Sequence, residues 1–289
     1  MGSKPTSRPN LFLLYLRLTV SREPIAPLSS LTLAVAPATP ANLFVGTSGW
    51  AYPTWKPDFY PAKTPAKKFL NFYASQLNSV EVNYTFRTLP TPIQLATWIA
   101  ATPEIFRFTF KAPQRITHFK RLRDCADDVA QLLTVLEPVR KAGRLGLILF
   151  QLPPNFKVDP NEAPSRLATF LKLPPFRGQN APHIAFEFRH QSFFAEATYA
   201  TLRQHNAALC IADSDDLTTP EVHTANTHTC FRLRRNGGYS TAEISAVARR
   251  LSKLTQQRTT YVYFKHEDEP TGALNASALL QAAVKKAQS

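Results

Sequence analysis

The sequence is short of acid, of cysteine and of long apolar runs, and each shortage removes a class of function. The 20 Asp and Glu stand against 34 Lys and Arg, giving a formal net charge of +14 and a pI of about 9.9. Such a field attracts polyanions: nucleic acid, phosphorylated small molecules or anionic surfaces. The plain alternative is a generally basic surface with no single partner. Cys125, Cys210 and Cys230 are odd in number and far apart. With no C-x-x-C unit among them, neither a disulfide framework nor a zinc site is indicated, and a reducing cytoplasmic compartment is expected. No run approaches the roughly 18 apolar residues that span a bilayer, so no membrane role is expected. Nucleophile and metalloprotease motifs are absent too. Gly46-Thr47-Ser48-Gly49 matches neither a G-x-S-x-G elbow nor a phosphate-binding P-loop.

The first 41 residues are rich in Pro, Ser and Thr. Leu11–Leu16 imitates the apolar region of a leader, and Ala34-Val35-Ala36 imitates a cleavage site. Arg17, Arg22 and Glu23 interrupt the apolar run, which argues against a leader. Residues 1–41 are therefore expected to be a disordered extension, and 42–289 a single domain of the length that barrels routinely use.

What is present from Asn42 onward is an alternation. In Ser79–Phe86, Val80, Val82 and Tyr84 form an apolar row against Glu81, Asn83 and Thr85. In Phe106–Pro113, Phe106, Phe108 and Phe110 oppose Arg107, Thr109 and Lys111, and in His183–His190, Ile184, Phe186 and Phe188 oppose Ala185, Glu187 and Arg189. Successive strand side chains point to opposite faces, so each strand has one greasy and one polar face. Eight such segments are predicted: Leu43–Trp50, Ser79–Phe86, Phe106–Pro113, Leu145–Pro153, His183–His190, Ala208–Asp215, Thr229–Arg235 and Thr260–Asp268. Helical periodicity separates most of them, over Pro65–Leu77, Asp124–Val139, Thr241–Leu254 and Ala276–Val284. Leu217–His228 carries Pro220 and no helical pattern, and reads as a bare loop.

Strands alternating with helices predict a parallel sheet, yet half-polar strands usually mark a sheet open to water. Closing the sheet resolves the conflict. The chain is expected to be an α/β protein, a single closed parallel (β/α)8 TIM-like barrel with helices outside and a polar lumen.

Function in such barrels sits at the C-terminal ends of the strands. The polar residues predicted there include Ser48, Asn83, Lys111, Gln151, Glu187, Arg189, Asp213, Arg232, Arg234, Lys265 and His266. Glu187 and Asp213 lie on consecutive strands and suit paired acid/base work, with Glu187 as general acid/base and Lys111 as a third catalytic candidate. The competing reading is that Glu187 and Arg189 join a lumen salt-bridge network that fixes strand register. Arg189 and Arg232 are candidate anion clamps; Asn83, Lys111 and Gln151 are candidate orienting groups. His118, Glu187, Asp213 and His266 are metal-ligand types, but no local spacing joins them, so no metal is assigned. Trp50, Tyr52, Trp55, Phe59 and Tyr60 crowd the first loop. They suit stacking on a base or sugar, with Trp50 and Tyr52 as binding candidates beside His118 and His266, or else a hydrophobic plug on the first helix.

The segments GTSGWAYPTW (46–55), FYP (59–61), SVEVNYTF (79–86), TPEIFRFTFKAPQRITH (102–118), LFQLPPNF (149–156), AFEFRHQSF (185–193), IADS (211–214) and GALNA (272–276) resemble the family called domain of unknown function 72, or YecE-like. The resemblance runs from residue 44 to the last helix, in family order. It implies a TIM-like barrel and no defined reaction. Two departures stand out: Lys265-His266-Glu267-Asp268 replaces a stretch that is asparagine-bearing in many members, and the 41-residue extension has no counterpart in the usual pattern.

Near the lumen and mouth the alternation collects three acids, Glu81, Glu187 and Asp213, against six bases, Arg107, Lys111, Arg189, Arg232, Arg234 and Lys265. Uncompensated buried cations are costly, so an anion is expected at the mouth, phosphate or another anionic small molecule. Three functions compete. One is an enzyme acting on an anionic or phosphorylated small molecule. Another is a nucleic-acid-binding or processing protein using the basic surface and the aromatic first loop. The last is a barrel whose lumen charges are structural only. Cofactor and oligomeric state are left open by the sequence.

Overall fold

The structure, a computed structural model, describes residues 41–162, 165–265 and 269–287. Almost all of the expected N-terminal extension, and His266, lie outside the described residues. Eight strands are present: β1 Leu43–Thr47, β2 Ser79–Val82, β3 Arg107–Lys111, β4 Leu145–Gln151, β5 His183–Glu187, β6 Ala208–Asp213, β7 His228–Leu233 and β8 Thr259–Phe264. Each begins within a residue or so of the predicted segment and stops short of its predicted end. The alternating pattern runs on into the loops of the mouth, where the backbone leaves the ladder; Asn83, for instance, already caps a 3-10 turn over Tyr84–Phe86.

Every ladder is parallel, in the order β1-β8-β7-β6-β5-β4-β3-β2. The helices are α1 Phe69–Gln76, α2 Pro92–Ala100, α3 Ala126–Lys141, α4 Arg166–Leu171, α5 Glu196–Gln204, α6 Thr241–Leu254 and α7 Thr271–Ala287. No helix joins β6 to β7, as Pro220 and the missing periodicity predict. That bare crossover is pinned by Thr224, whose hydroxyl accepts from the Leu209 amide at 2.8 Å and donates to the Ala207 carbonyl at 2.7 Å. The helix α2 announces itself only through its start: Thr91 and Gln94 form a reciprocal capping box with Pro92 in the first turn.

The cylinder closes between β1 and β2 by an unusual route. One backbone bridge joins Ser48 to Glu81. Below it, side chains replace the ladder. The Val45 amide donates to Asn78 Oδ1 at 2.8 Å, and Asn78 Nδ2 donates to the Leu43 carbonyl at 2.7 Å. The Thr47 amide donates to the Tyr73 hydroxyl at 2.8 Å, which donates in turn to the Ser79 carbonyl at 3.0 Å. Gly46 permits this approach, because a Cβ there would lie 1.9 Å from the Ser79 carbonyl oxygen.

Two hydrophobic clusters follow from the alternation. The large one packs the outward rows, including Val82, Phe108, Phe186 and Phe231, beneath the helices. The small one fills the lower lumen with Phe44, Leu147, Leu149, Cys210, Cys230, Tyr261 and Tyr263. The lumen is therefore apolar and aromatic below and charged only at its upper end, a narrower charged zone than the row pattern predicts. Glu81, Thr109, Glu187 and Arg232 face inward as expected: Thr109 accepts from the Tyr263 hydroxyl at 2.6 Å, and Arg232 bonds to both Glu81 and Glu187.

Candidate functional site

The centre of the upper lumen is Arg232, on β7 and 1 % exposed. One guanidinium nitrogen donates to Glu187 Oε2; another donates to Glu81 Oε1 at 2.7 Å and to Ser48 Oγ at 3.2 Å. Ser48 Oγ donates to Glu81 Oε1 at 2.8 Å, and Gln151 Nε2 donates to Glu187 Oε1 at 3.1 Å. Arg189 Nε approaches Glu187 Oε1 to 2.5 Å without hydrogen-bond alignment. The strands β1, β2, β4, β5 and β7 thus meet in one ion network above the Tyr263 floor.

Around this network stand two more cations. Lys111 ends β3, and Arg234 follows β7; both are half-buried. Neither side chain has a hydrogen-bond acceptor or an ion-pair partner among the described residues; Lys111 instead places its ammonium 4.1 Å from the centre of the Phe86 ring. Burial first, then Arg232, pushes Lys111 down to about 8. The same two causes lower Arg234 to about 10. Four buried side-chain atoms of the cluster lack hydrogen-bond partners: Glu81 Oε2, Asn83 Oδ1, Arg189 Nε and Arg232 Nε. Such orphaned atoms are rare in native interiors and mark sites of strain or ligand contact.

The acid/base pairing of Glu187 with Asp213 does not form. Asp213 shares the outward row with Leu209 and Ile211, and its Oδ2 accepts from Arg235 Nε at 3.0 Å and the Tyr239 hydroxyl at 3.1 Å. Glu187 is no poised acid either. Burial alone would raise it, but Arg232, Arg189 and Arg234 outweigh that and hold it at about 2, so it remains an anion at working pH. The salt-bridge reading describes Glu187 better than the proton-transfer reading. Arg232, expected to clamp an anion, spends both terminal nitrogens on the two carboxylates. Arg107 belongs to the opposite end of the barrel, where it lies 5.3 Å from the Phe44 ring centre and donates to the Glu104, Ile105 and Phe106 carbonyls. Lys265 donates to Asn236 Oδ1 at 2.6 Å.

Asn83 and Gln151 lie at the rim of the network, both half-buried. His118 belongs to a turn of π-helix over Arg115–Phe119. Its ring lies nearly perpendicular to the Phe86 ring, with centres 4.9 Å apart, and Lys111 touches that same ring. Phe86 was not singled out from the sequence, because nothing in its local pattern separates it from a core aromatic. The first-loop aromatics divide. Trp55, Phe59 and Tyr60 are core residues packed toward α1, with Tyr60 stacked on Phe69 at 4.3 Å. Trp50 and Tyr52 keep partial exposure, Trp50 meeting the Trp98 ring at 5.3 Å. Among the described residues no three His, Cys, Asp or Glu side chains gather as metal ligands, and no helix is long and apolar enough to cross a membrane.

Known proteins resemble this chain in sequence or in fold. The chain is 34% identical over 154 residues to UPF0759 protein YecE of Escherichia coli K12, covering 53% of this chain and 51% of that one. It is 28% identical over 161 residues to UPF0759 protein YunF of Bacillus subtilis, covering 54% of each. The matched segments thus span about half the length of these curated relatives. Among solved structures, a DUF72 family protein from Thermotoga maritima superposes with a TM-score of 0.70 at 28% identity, over 86% of this chain and 99% of that one. A DUF72 family protein from Enterococcus faecalis gives 0.66 at 17% identity, over 83% and 95%, and shares the fold. The profile of the family described as "Protein of unknown function DUF72" matches residues 44–289, nearly everything beyond residue 41, and the chain belongs to that family.

Proposed function

We propose that the barrel mouth binds a small molecule carrying a phosphate or carboxylate group, and that the protein is an enzyme acting on it. The observation that supports this is a local charge excess. Two carboxylates, Glu81 and Glu187, face four cations, Arg232, Arg189, Lys111 and Arg234. The acids are engaged by Arg232 and Arg189, which leaves Lys111 and Arg234 half-buried and without an ion-pair partner among the described residues. A bound anion offsets that cost, and an arginine fork suits phosphate and carboxylate alike. Arg232 organises the pocket from beneath rather than touching the ligand.

The test is the melting temperature in phosphate, sulfate or citrate against chloride at equal ionic strength. Binding to the folded state should raise it by several degrees in the wild type, and by less than half as much in Arg234→Gln and Lys111→Met. Equal shifts in all three proteins would leave only a general salt effect. The nucleic-acid reading predicts something different: affinity for a single-stranded oligonucleotide that falls steeply with salt. It draws less support, since three of the five first-loop aromatics are buried in the core.

A further inference from the structure

Among the four cations gathered around Glu81 and Glu187, namely Arg232, Arg189, Lys111 and Arg234, Lys111 alone is a primary amine. We propose that Lys111 is a nucleophile that forms an imine with a carbonyl compound carrying a phosphate or carboxylate group, and that His118 moves the protons. The inference rests on the anion-binding reading above and adds the chemistry to it.

Three observations carry it. The amine reaches into the mouth from the end of β3, rests against the Phe86 ring, and has no hydrogen-bond acceptor or ion-pair partner among the described residues. The Phe86 ring touches both groups, with the Lys111 ammonium 4.1 Å and the His118 ring centre 4.9 Å from its own centre, so one rigid aromatic contacts both an amine and an imidazole. Thr117 Oγ1 occupies His118 Nδ1 at 2.9 Å, while Nε2 carries no hydrogen bond among the described residues. Electrostatics agree with the geometry. Burial, Arg232 and Arg234 favour the neutral amine, more than Glu81 and Glu187 oppose it, and place Lys111 at about 8. His118 is itself lowered, by burial and then by Lys111 and Arg121, which leaves it a neutral base at pH 7. A desolvated lysine beside other cations is a recognised way to activate an amine.

The step balances without an added reagent. The Lys111 lone pair attacks the carbonyl carbon, a C–N bond forms, and the carbonyl π electrons pass to oxygen. His118 takes a proton from nitrogen and returns one to that oxygen, giving a carbinolamine. The C–O bond then breaks as a second proton, taken by His118 from solvent, leaves with the oxygen as water. Counted from the ammonium, one carbonyl compound is consumed, and one iminium ion and one water are formed. Arg234 and Arg189 hold the anionic end during these steps.

The experiment is reductive trapping. The full chain is incubated with pyruvate or with dihydroxyacetone phosphate, sodium cyanoborohydride reduces any iminium to a stable secondary amine, and the adduct is mapped by peptide mass. Hydroxyacetone serves as the uncharged control. At pH 8 the neutral fraction of Lys111, lowered to about 8, should exceed that of a fully solvated lysine by roughly a hundredfold, so labelling should concentrate on Lys111. Labelling should exceed the hydroxyacetone level at least tenfold, and the better of the two charged probes tells carboxylate from phosphate. In Lys111→Arg the adduct should vanish while the phosphate-induced melting shift stays. In His118→Gln trapping should slow and its pH profile flatten; an unchanged profile would remove His118 from the assignment. A phosphate shift without selective labelling of Lys111 would overturn the imine and spare the anion site. Loss of both would overturn both. Equal labelling by hydroxyacetone would overturn the requirement for an anionic group.

Discussion

Arg232 on β7 and Glu81 on β2 lie 151 positions apart in sequence and 2.7 Å apart in space. With Glu187 on β5 they form a buried ion triad that crosses the top of the lumen. Desolvation of such charges is expensive and is offset only while every partner is present.

Removing Arg232 alone should therefore be severe. Arg232→Met leaves Glu81 and Glu187 buried without their shared partner and should cost about 3–5 kcal/mol in urea denaturation. The triple variant Arg232→Met, Glu81→Gln, Glu187→Gln should recover most of that loss, since no uncompensated charge remains. A triple variant no more stable than the single one would show that the triad matters for shape rather than charge.

Acid should act on the barrel in two stages. His228, 1 % exposed and stacked on His183 at 4.2 Å, is pushed down to about 3, by burial and then by His183. Below the ordinary value of 6.5 the unfolded chain binds a proton that folded His228 refuses, so stability falls as pH drops from 6.5 toward 3. Glu187, held at about 2 against an ordinary 4.5, contributes stability that is present above 4.5 and lost as pH falls toward 2. Each site can give a slope of up to about 1.4 kcal/mol per pH unit within its own window. His228→Gln should flatten the limb between pH 4.5 and 6.5 and leave the lower limb in place. An unchanged upper limb would exclude the histidine as its source.

Two glycines offer a controlled contrast. Gly46→Ala puts a Cβ 1.9 Å from backbone oxygen, which backbone at a closed seam has no room to yield. Its cost should reach or pass the upper end of the ~1–3 kcal/mol overpacking range. Gly143→Ala, at φ +68 with nothing within 4 Å, meets only backbone strain and should cost about 1 kcal/mol. Thermal unfolding of the pair checks this, and similar losses would contradict it.

The fold was largely legible because alternation is a local signal. A row of Phe106, Phe108 and Phe110 against Arg107, Thr109 and Lys111 states which face each residue takes. It does not state the height of a residue along the barrel axis, which is why Arg107 was grouped with the mouth although it opens β3 at the other end. For Asp213 the signal existed: Leu209 and Ile211 put it on the outward row. The pairing of Arg232 with both acids was not legible, since three residues on β2, β5 and β7 meet only once the sheet has closed. The same holds for the isolation of Lys111 and Arg234, which depends on which carboxylates Arg232 reaches first.

The seam between β1 and β2 gives the cylinder a preferred line of opening. Every other adjacent pair of strands shares a ladder of peptide groups, which no substitution can delete. Here the Val45 and Thr47 amides rest on Asn78 and Tyr73, so the ring's integrity at this line is encoded in two replaceable side chains. Hydrogen exchange at those amides would report the latch directly, and Asn78→Ala should release Val45 while leaving the β1–β8 ladder protected. In construction the barrel is a curled ribbon with a clasp, its two side-chain fasteners lying directly below the Ser48–Glu81 bridge.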